Sequence, residues 1–197
     1  MKRLLAAAFC LLLLPAAALA FDAAQHGDRV GVLRSPYQEN AGHNGAIASS
    51  VFRYLVGELR ERHLDAFDAG VTYDDVVAHG RGEARADYYV EIVSGDGYAD
   101  PEGGVDIGGR DGGVELSVVV SHVAARLRIY DGETLELLDD VDLQHQNTAV
   151  MPTSIGVGGR HFGAWIALPF LEWMQLRGAS RAVARKAAIQ VASTVKP

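Results

Sequence analysis

Residues 116–143 read LSVVVSHVAARLRIYDGETLELLDDVDL, and this stretch decides the fold class. Two long segments of alternating character, 116–130 and 134–143, flank the dipeptide Asp131-Gly132. An Asp-Gly dipeptide between alternating segments is typical of a β-hairpin. We therefore predict a long antiparallel hairpin whose odd-numbered face is directed toward the core. That face carries Val119, Ser121, Val123, Ala125, Leu127 and Ile129.

The segments before the hairpin alternate between strand and helix patterns. Residues 29–33 and 86–93 are rich in β-branched and aromatic residues and predict strands, and residues 64–69 predict another strand with a less regular alternation. From about Gly45, apolar residues recur at intervals of three or four, which predicts an amphipathic helix. Its apolar stripe consists of Ile47, Val51, Tyr54 or Leu55, and Leu59.

Three further segments complete the predicted fold. Residues 72–86 predict a short helix with Thr72 or Asp74 as its N-cap, and residues 94–114 predict a loop because they are rich in Gly and Asp. Ser180 is the predicted N-cap of a C-terminal helix that ends near Val195. The fold class is therefore α/β (α+β), with helices packed on a single mixed sheet of about five strands in the order β-α-β-α-β-β-β-α.

The first twenty residues predict a secretory signal peptide. Lys2 and Arg3 precede a continuously apolar stretch, residues 4–14, and Ala18-Leu19-Ala20 supplies the small residues that a signal peptidase requires. The apolar stretch is shorter than the roughly 20 residues that span a bilayer. We therefore expect cleavage near Ala20-Phe21, a periplasmic location, and a single domain over residues 21–197.

Charge and cysteine content narrow the function further. The formal net charge is −7, and removal of the signal peptide with its two basic residues makes it more negative by two. This balance disfavours nucleic-acid binding and attachment to anionic lipid by charge alone. Cys10 is the only cysteine, lies inside the apolar stretch and follows Phe9, where a lipidation site requires a small residue. We therefore expect neither a disulfide nor a lipid anchor in the mature protein.

The step from short helix to strand in residues 82–90, GEARADYYV, carries a family resemblance. Together with the order of elements, it resembles the periplasmic domains of the curli-assembly (CsgG-type), TolB N-terminal and penicillin-binding-protein-activator groups. The resemblance implies a non-catalytic role in protein–protein contact within an envelope assembly. These groups carry no catalytic residues to transfer to this chain.

Residues 164–174, AWIALPFLEWM, are the leading candidate for a partner-binding segment. Aromatic residues supply much of the binding energy at protein interfaces, so we predict that Trp165 and Trp173 contact a partner. Arg160 lies in the preceding glycine-rich run, where it can hold an anion. The alternative is that the segment packs as ordinary core, and Pro169 disfavours a straight helix there.

We therefore expect a secreted, non-enzymatic protein-binding domain that acts on an envelope protein, with no cofactor, no metal and no transmembrane helix. Residues 94–114 and 148–177 are the predicted contact regions, and peripheral membrane contact stays open. One alternative is an envelope hydrolase built from dispersed His and Asp residues. Another is a Ca²⁺-binding module that uses the acidic loop. The histidines available to a hydrolase are His26, His43, His63, His79, His122, His145 and His161. The acidic residues of the predicted calcium loop are Asp96, Asp100, Glu102, Asp106 and Asp111.

Overall fold

A computed structural model describes residues 28–39, 42–109, 112–157, 160–163 and 167–196. Within these residues the chain forms six strands and four α-helices. In chain order the elements are β1 (Arg29–Arg34), α1 (Pro36–Glu39), α2 (His43–Arg60), β2 (Asp65–Thr72), α3 (Tyr73–His79), a 3-10 turn (Gly82–Ala84), β3 (Tyr88–Gly109), β4 (Gly112–Asp131), β5 (Leu137–Val157), β6 (Arg160–Gly163) and α4 (Ala167–Val195).

All six described strands belong to one mixed sheet, in the order β2-β1-β3-β4-β5-β6. Strand β1 is parallel to both β2 and β3, whereas every pairing from β3 to β6 is antiparallel. The predicted α+β fold with a single mixed sheet is thus confirmed. The four-residue β6 adds a short strand at the sheet edge.

The predicted hairpin forms the centre of the sheet, and its odd-numbered face is the core face, as expected. Leu127 and Ile129 of β4 pack there with Val90 and Ile92 of β3, under helices α2 and α4. A smaller apolar cluster on the opposite face is covered by α3. Its buried members are Leu33, Val76, Ala86, Tyr89 and Tyr130.

The prediction of a loop over residues 94–114 is wrong. Strand β3 continues to Gly109 and pairs with β4 down to Gly112, with register shifts after Ile92 and Pro101. The Gly and Asp content is typical of loops, but β4 supplies hydrogen-bonding partners as far as Gly109, so the strand continues. One glycine has a packing role: a Cβ at Gly95 would lie 2.8 Å from the backbone nitrogen of Ala48 in α2.

The connection between β4 and β5 is longer than the Asp-Gly signature suggests. The carboxylate of Asp131 accepts hydrogen bonds from the backbone nitrogens of Glu133 (2.8 Å) and Thr134 (2.6 Å), which organises residues 132–136. Gly132 is needed for a close approach, because a Cβ there would lie 2.2 Å from the carbonyl oxygen of Ala86. The hairpin is confirmed, but its turn is not a two-residue turn.

The C-terminal helix begins thirteen residues before the predicted N-cap Ser180. Ser180 is fully buried inside α4, where its hydroxyl donates to the carbonyl of Leu176 at 2.8 Å. This bond to residue i−4 satisfies the hydroxyl within the helix, so serine does not end it. Pro169 falls in the first turn of α4, where a missing backbone N–H is tolerated.

Thr72 caps α3, as one of the two predicted alternatives proposes. Its side chain accepts from the backbone nitrogen of Asp75, and the Asp75 carboxylate accepts from the backbone nitrogen of Thr72. This reciprocal pair is a capping box. The helix ends at His79, earlier than expected, and a 3-10 turn follows. Across the described ranges, none of the helices has the length and apolar character needed to cross a membrane.

Candidate functional site

Trp173, one of the three predicted partner-binding residues, lies on the surface where α2 and α4 pack together. Its side chain is 52% exposed, although it is a large aromatic residue on a helix that packs against the core. It borders a cleft of about 300 Å³ between the two helices. The cleft, called here the Trp173 cleft, is lined by Ala46, Ser49, Ser50, Arg53, Tyr54, Trp173 and Arg177.

Arg177 joins the two aromatic side chains of the Trp173 cleft. Its guanidinium carbon lies 5.0 Å from the centre of the Trp173 ring and 5.9 Å from that of Tyr54, within the range of cation–π attraction. Its Nε also donates a hydrogen bond to the Tyr54 hydroxyl. Trp173 and Arg177 are one helical turn apart, so α4 presents them together.

The Trp173 cleft carries positive charge. Within the described part of the chain, neither Arg53 nor Arg177 forms an ion pair with a carboxylate. The net charge of the chain is nevertheless negative, so this local excess of cations reflects placement rather than composition. Such a surface is complementary to an acidic segment.

Next to the cleft, Glu58 of α2 is 4% exposed and is contacted by three arginines. Arg62, Arg181 and Arg185 each place a guanidinium nitrogen 3.4 Å from its carboxylate. Burial acts to raise the pKa of Glu58, but the hydrogen bonds and charges of these arginines outweigh it and hold the pKa below its ordinary value. Glu58 therefore anchors α2 to α4 one helical turn beyond Tyr54 and Arg177 of the Trp173 cleft.

The other two predicted partner-binding residues cannot be placed at this cleft. Arg160 begins β6, at the edge of the sheet, and its side chain lies outside the described part of the structure. Trp165 lies wholly outside the described residues, as does the signal peptide. Their proposed contact with a partner, and cleavage near Ala20-Phe21, therefore stay predictions.

The described histidines are spread over the fold. His43 donates to the carbonyl of Gly97 (2.6 Å), and His122 stacks on Tyr98 with ring centres 5.5 Å apart. His63 lies in the turn after α2, and His79 ends α3. His145 is in β5, on the same face as Val123 of β4. The described residues thus give no geometric support to a hydrolase site built from the predicted histidines.

The acidic residues of the predicted calcium loop lie along β3. Asp96 pairs with Ala124, Asp100 with Val120, and Asp106 with Glu115, so strand spacing separates them along the sheet. Glu102 lies at a register shift, and Asp111 is outside the described residues. Where the structure describes the chain, no group of three or more His, Cys, Asp or Glu side chains can hold a metal ion.

The paired strands β3–β5 expose apolar side chains around Val105 and Val150. Val105 is 64% exposed and Val150 is 66% exposed, on the face of the sheet opposite α2 and α4. Exposed apolar patches of sufficient size mark contact surfaces. Residues 94–114 are predicted to contact a partner, and the structure presents the described part of this range, 94–109 and 112–114, as strand rather than loop.

Sequence reasoning missed a cavity at the ends of the parallel strands. It has a volume of about 390 Å³ and lies where β1 and β2 end, beside the start of β3 and the end of β4. Glu91 of β3 and Tyr130 of β4 are both buried in its wall. The sequence signal that could have indicated this cavity is Glu91, a charged residue within the apolar strand 86–93. The lining residues are Ser35, Pro36, Thr72, Tyr73, Asp74, Glu91, Val93, Arg128 and Tyr130.

Comparison with known proteins finds likeness in structure only. No protein-family model matches the chain, and no curated protein matches it in sequence. The resemblance to the curli-assembly, TolB and penicillin-binding-protein-activator groups therefore stays a prediction.

Several solved structures are similar to this chain over most of their length. A minor lipoprotein from Acinetobacter baumannii is 12% identical, with 84% of this chain and 93% of that chain covered and a TM-score of 0.44. An uncharacterized lipoprotein B from Nitrosomonas europaea is 17% identical, with 87% of each chain covered and a TM-score of 0.44. The PelC dodecamer from Paraburkholderia phytofirmans is 14% identical, with 86% and 88% covered and a TM-score of 0.36. The likeness concerns the course of the chain and does not indicate which side chains act.

Proposed function

We propose that this protein is an exported, non-enzymatic protein-binding domain of a bacterial cell-envelope assembly. It acts in the periplasm and docks an acidic segment of a partner protein in the Trp173 cleft. The observation that carries the proposal is the exposed Trp173 held beside Arg177 and Tyr54. Tryptophan, tyrosine and arginine are the residues that contribute most binding energy at protein interfaces.

The chemistry of the Trp173 cleft supports an acidic partner. Arg53 and Arg177 supply positive charge in the same cleft as the aromatic rings of Trp173 and Tyr54. A carboxylate of the partner gains a charge-assisted hydrogen bond from a guanidinium there, while an apolar partner side chain covers the indole ring. The ionic contacts also speed the encounter, because complementary charge steers association.

The export step is supported by the sequence of residues 1–20. A basic start, an apolar stretch too short to span a bilayer and a small-residue cleavage site are the three parts of a secretory signal peptide. A protein that works in an envelope assembly needs a surface that contacts its partner there. The Trp173 cleft is well suited to provide that contact.

Site-directed photo-crosslinking in intact cells tests the docking surface. A photoreactive amino acid at Ser50, in the cleft, is compared with one at Ile189, which is 54% exposed on the same helix as Trp173 but outside the cleft. We expect a discrete cross-linked product from Ser50 and none from Ile189. Mass spectrometry then identifies the partner and its cross-linked peptide.

Matched variants test whether the cleft side chains carry the affinity. With the purified partner, Trp173→Ala and Arg177→Ala should each weaken binding by about tenfold or more, whereas Ile189→Ala should leave it unchanged. Charge reversal at Arg53 should also weaken binding, and more strongly at low salt. Equal cross-linking from both positions, or unchanged affinity of Trp173→Ala, would contradict the proposal.

A further inference from the structure

The cavity beside Glu91 lies at the point of a mixed sheet where ligands are most often bound. Strand β1 is flanked by two parallel neighbours, β2 on one side and β3 on the other. The chain therefore leaves β1 toward one side and later returns to the opposite side, which opens a crevice at the carboxyl ends of the parallel strands. Ser35 directly follows β1 at that crevice, and Thr72 ends β2 there.

One wall of the cavity is aromatic. The rings of Tyr73 and Tyr130 stack with centres 4.4 Å apart and an angle of 24° between their planes. Tyr73 comes from the first turn of α3 and Tyr130 from the end of β4, so two elements hold the pair in place. The volume of about 390 Å³ falls within the range of about 300–1,000 Å³ typical of small-molecule sites.

Glu91 presents an incompletely satisfied carboxylate to this cavity. Its side chain is only 7% exposed, and its Oε2 accepts a hydrogen bond from the Tyr130 hydroxyl at 3.2 Å. This bond uses one of the roughly four acceptor positions of an ionised carboxylate and leaves capacity for a further donor. A carboxylate in a largely buried position gains from each further donor, so a ligand that donates to it is favoured.

The charges around the cavity favour a cation as that ligand. Arg128 is the basic residue of the wall, but its guanidinium is bound to Asp140 at 3.1 Å. Asp140 also binds Arg126 at 2.7 Å, and Asp142 lies opposite Arg126 in the strand pairing. The two carboxylates therefore balance the charges of the two arginines. Glu91 and Asp74 are the two acidic residues of the wall, and among the described residues neither forms an ion pair, although the charge of Arg128 acts to lower the pKa of Glu91.

We propose that this cavity binds a small organic cation with a primary ammonium group, which donates to Glu91 while its alkyl part lies against Tyr73 and Tyr130. Asp74 adds a second negative charge at the cavity wall. The aromatic stack contributes cation–π attraction as well as apolar contact. Burial and the nearby Asp74 both raise the pKa of Glu91, and a bound cation reverses this effect by favouring the ionised carboxylate.

Calorimetric titration with three probes of matched length tests this inference. The probes are 1,4-diaminobutane, butane-1,4-diol and succinate, which share a four-carbon frame and differ in charge. We expect the diamine alone to bind, with shifts of the Tyr73 and Tyr130 ring signals in NMR spectra. Absence of diamine binding, or equal binding of the diol, would overturn the proposal.

Variants separate the cavity from general electrostatic attraction. Glu91→Gln keeps the shape of the side chain and an acceptor for Tyr130, so it should fold and yet bind the diamine at least about tenfold more weakly. Asp74→Asn should have a smaller effect of the same sign. Glu102→Gln removes the same charge from an exposed position on the same strand and should change nothing. The site would be refuted if Glu91→Gln left the affinity for the diamine unchanged. It would also be refuted if Glu102→Gln reduced that affinity as much as Glu91→Gln does.

Discussion

The hydroxyl of Tyr130 donates a hydrogen bond to Oε2 of Glu91, 3.2 Å away, and both side chains are more than nine-tenths buried. Burial and the nearby Glu91 charge raise the pKa of Tyr130 to about 12, so the hydroxyl keeps its proton throughout the physiological range. Burial also raises the pKa of Glu91. The hydrogen bond therefore orients, at the edge of a cavity, a Glu91 carboxyl group that is less acidic than an ordinary glutamate.

The raised pKa of Glu91 predicts a defined pH dependence of stability. The folded state holds the Glu91 proton more tightly than the unfolded state, so the stability that this group contributes is present below its ordinary pKa of 4.5. That stability is lost as the pH rises through the folded-state pKa. Glu91→Gln should therefore gain in free energy of unfolding relative to the wild type between pH 4 and pH 8.

Urea unfolding of both proteins across that pH range measures the difference. If the wild type instead gains stability relative to Glu91→Gln as the pH rises, the carboxylate is stabilised in the fold and the interpretation of its burial is wrong.

Glu58 should show the opposite dependence. Its pKa is held below the ordinary 4.5 by three arginines against the effect of burial, so its stabilisation is present above pH 4.5 and is lost as the pH falls through the folded-state pKa. At pH 7, Glu58→Gln should lower the free energy of unfolding by about 1–2 kcal/mol, because the surrounding guanidinium groups are partly solvated.

Chemical denaturation at pH 7 and at pH 3.5 tests this prediction, with Glu61→Gln as the exposed control at the end of the same helix. The difference in free energy of unfolding between wild type and Glu58→Gln should be smaller at the lower pH. A difference that stays constant would show that shape rather than charge explains the effect.

The close contact of β3 with α2 predicts different tolerance at two glycines of one strand. A Cβ at Gly95 would lie 2.8 Å from the Ala48 nitrogen, whereas a Cβ at Gly103 would meet nothing within 4 Å. Gly95→Ala should therefore cost about 1–3 kcal/mol of stability through displacement of α2. Gly103→Ala should be close to neutral, as thermal unfolding of the two variants would show. Equal tolerance at both positions would mean that α2 does not approach the strand so closely.

Trp173 should contribute little to folding. Because half of its surface is exposed, Trp173→Ala should lower the free energy of unfolding by no more than about 1 kcal/mol. Leu55→Ala, at a fully buried position of α2, should cost about 2–5 kcal/mol. Denaturant melts compare the two. A loss at Trp173 as large as that at Leu55 would identify the tryptophan as core and remove the main support for the docking surface.

Export should remove the first twenty residues. Intact-mass measurement of protein recovered from the periplasmic fraction should correspond to a chain that starts at Phe21. Ala18→Arg and Ala20→Arg should block processing, because a signal peptidase requires small residues there, and the longer precursor should accumulate. Recovery of the full-length chain from wild-type cells would contradict the predicted cleavage.

The strand and helix patterns that sequence reasoning recognised are those in which one face is buried. Leu127 and Ile129 alternate with Arg126 and Arg128, and the buried side of that alternation is the core side in the structure. By contrast, residues 94–109 lack a regular apolar alternation, and their strand depends on hydrogen bonds from β4. Local composition carries no information about such a partner.

The two candidate sites differ in how much of each could be predicted from the sequence. The sequence predicts Trp173 as an aromatic anchor, but its exposure beside Arg177 and Tyr54 depends on how α2 and α4 cross. The Glu91 cavity was not recognised, because its wall combines residues from β1, β2, α3, β3 and β4. Their separation along the chain leaves no motif to detect.

The sequence by itself determined the order of the elements apart from the short α1 and β6, the antiparallel hairpin and the buried face of β4, because periodicity and turn chemistry act over a few neighbouring residues. Only the tertiary structure decided the extent of β3, the start of α4 and the pairing of Glu91 with Tyr130. Those features depend on contacts between residues far apart in the chain. Their free energy comes from burial and cross-strand hydrogen bonds, which exist only once the strands and helices have packed together.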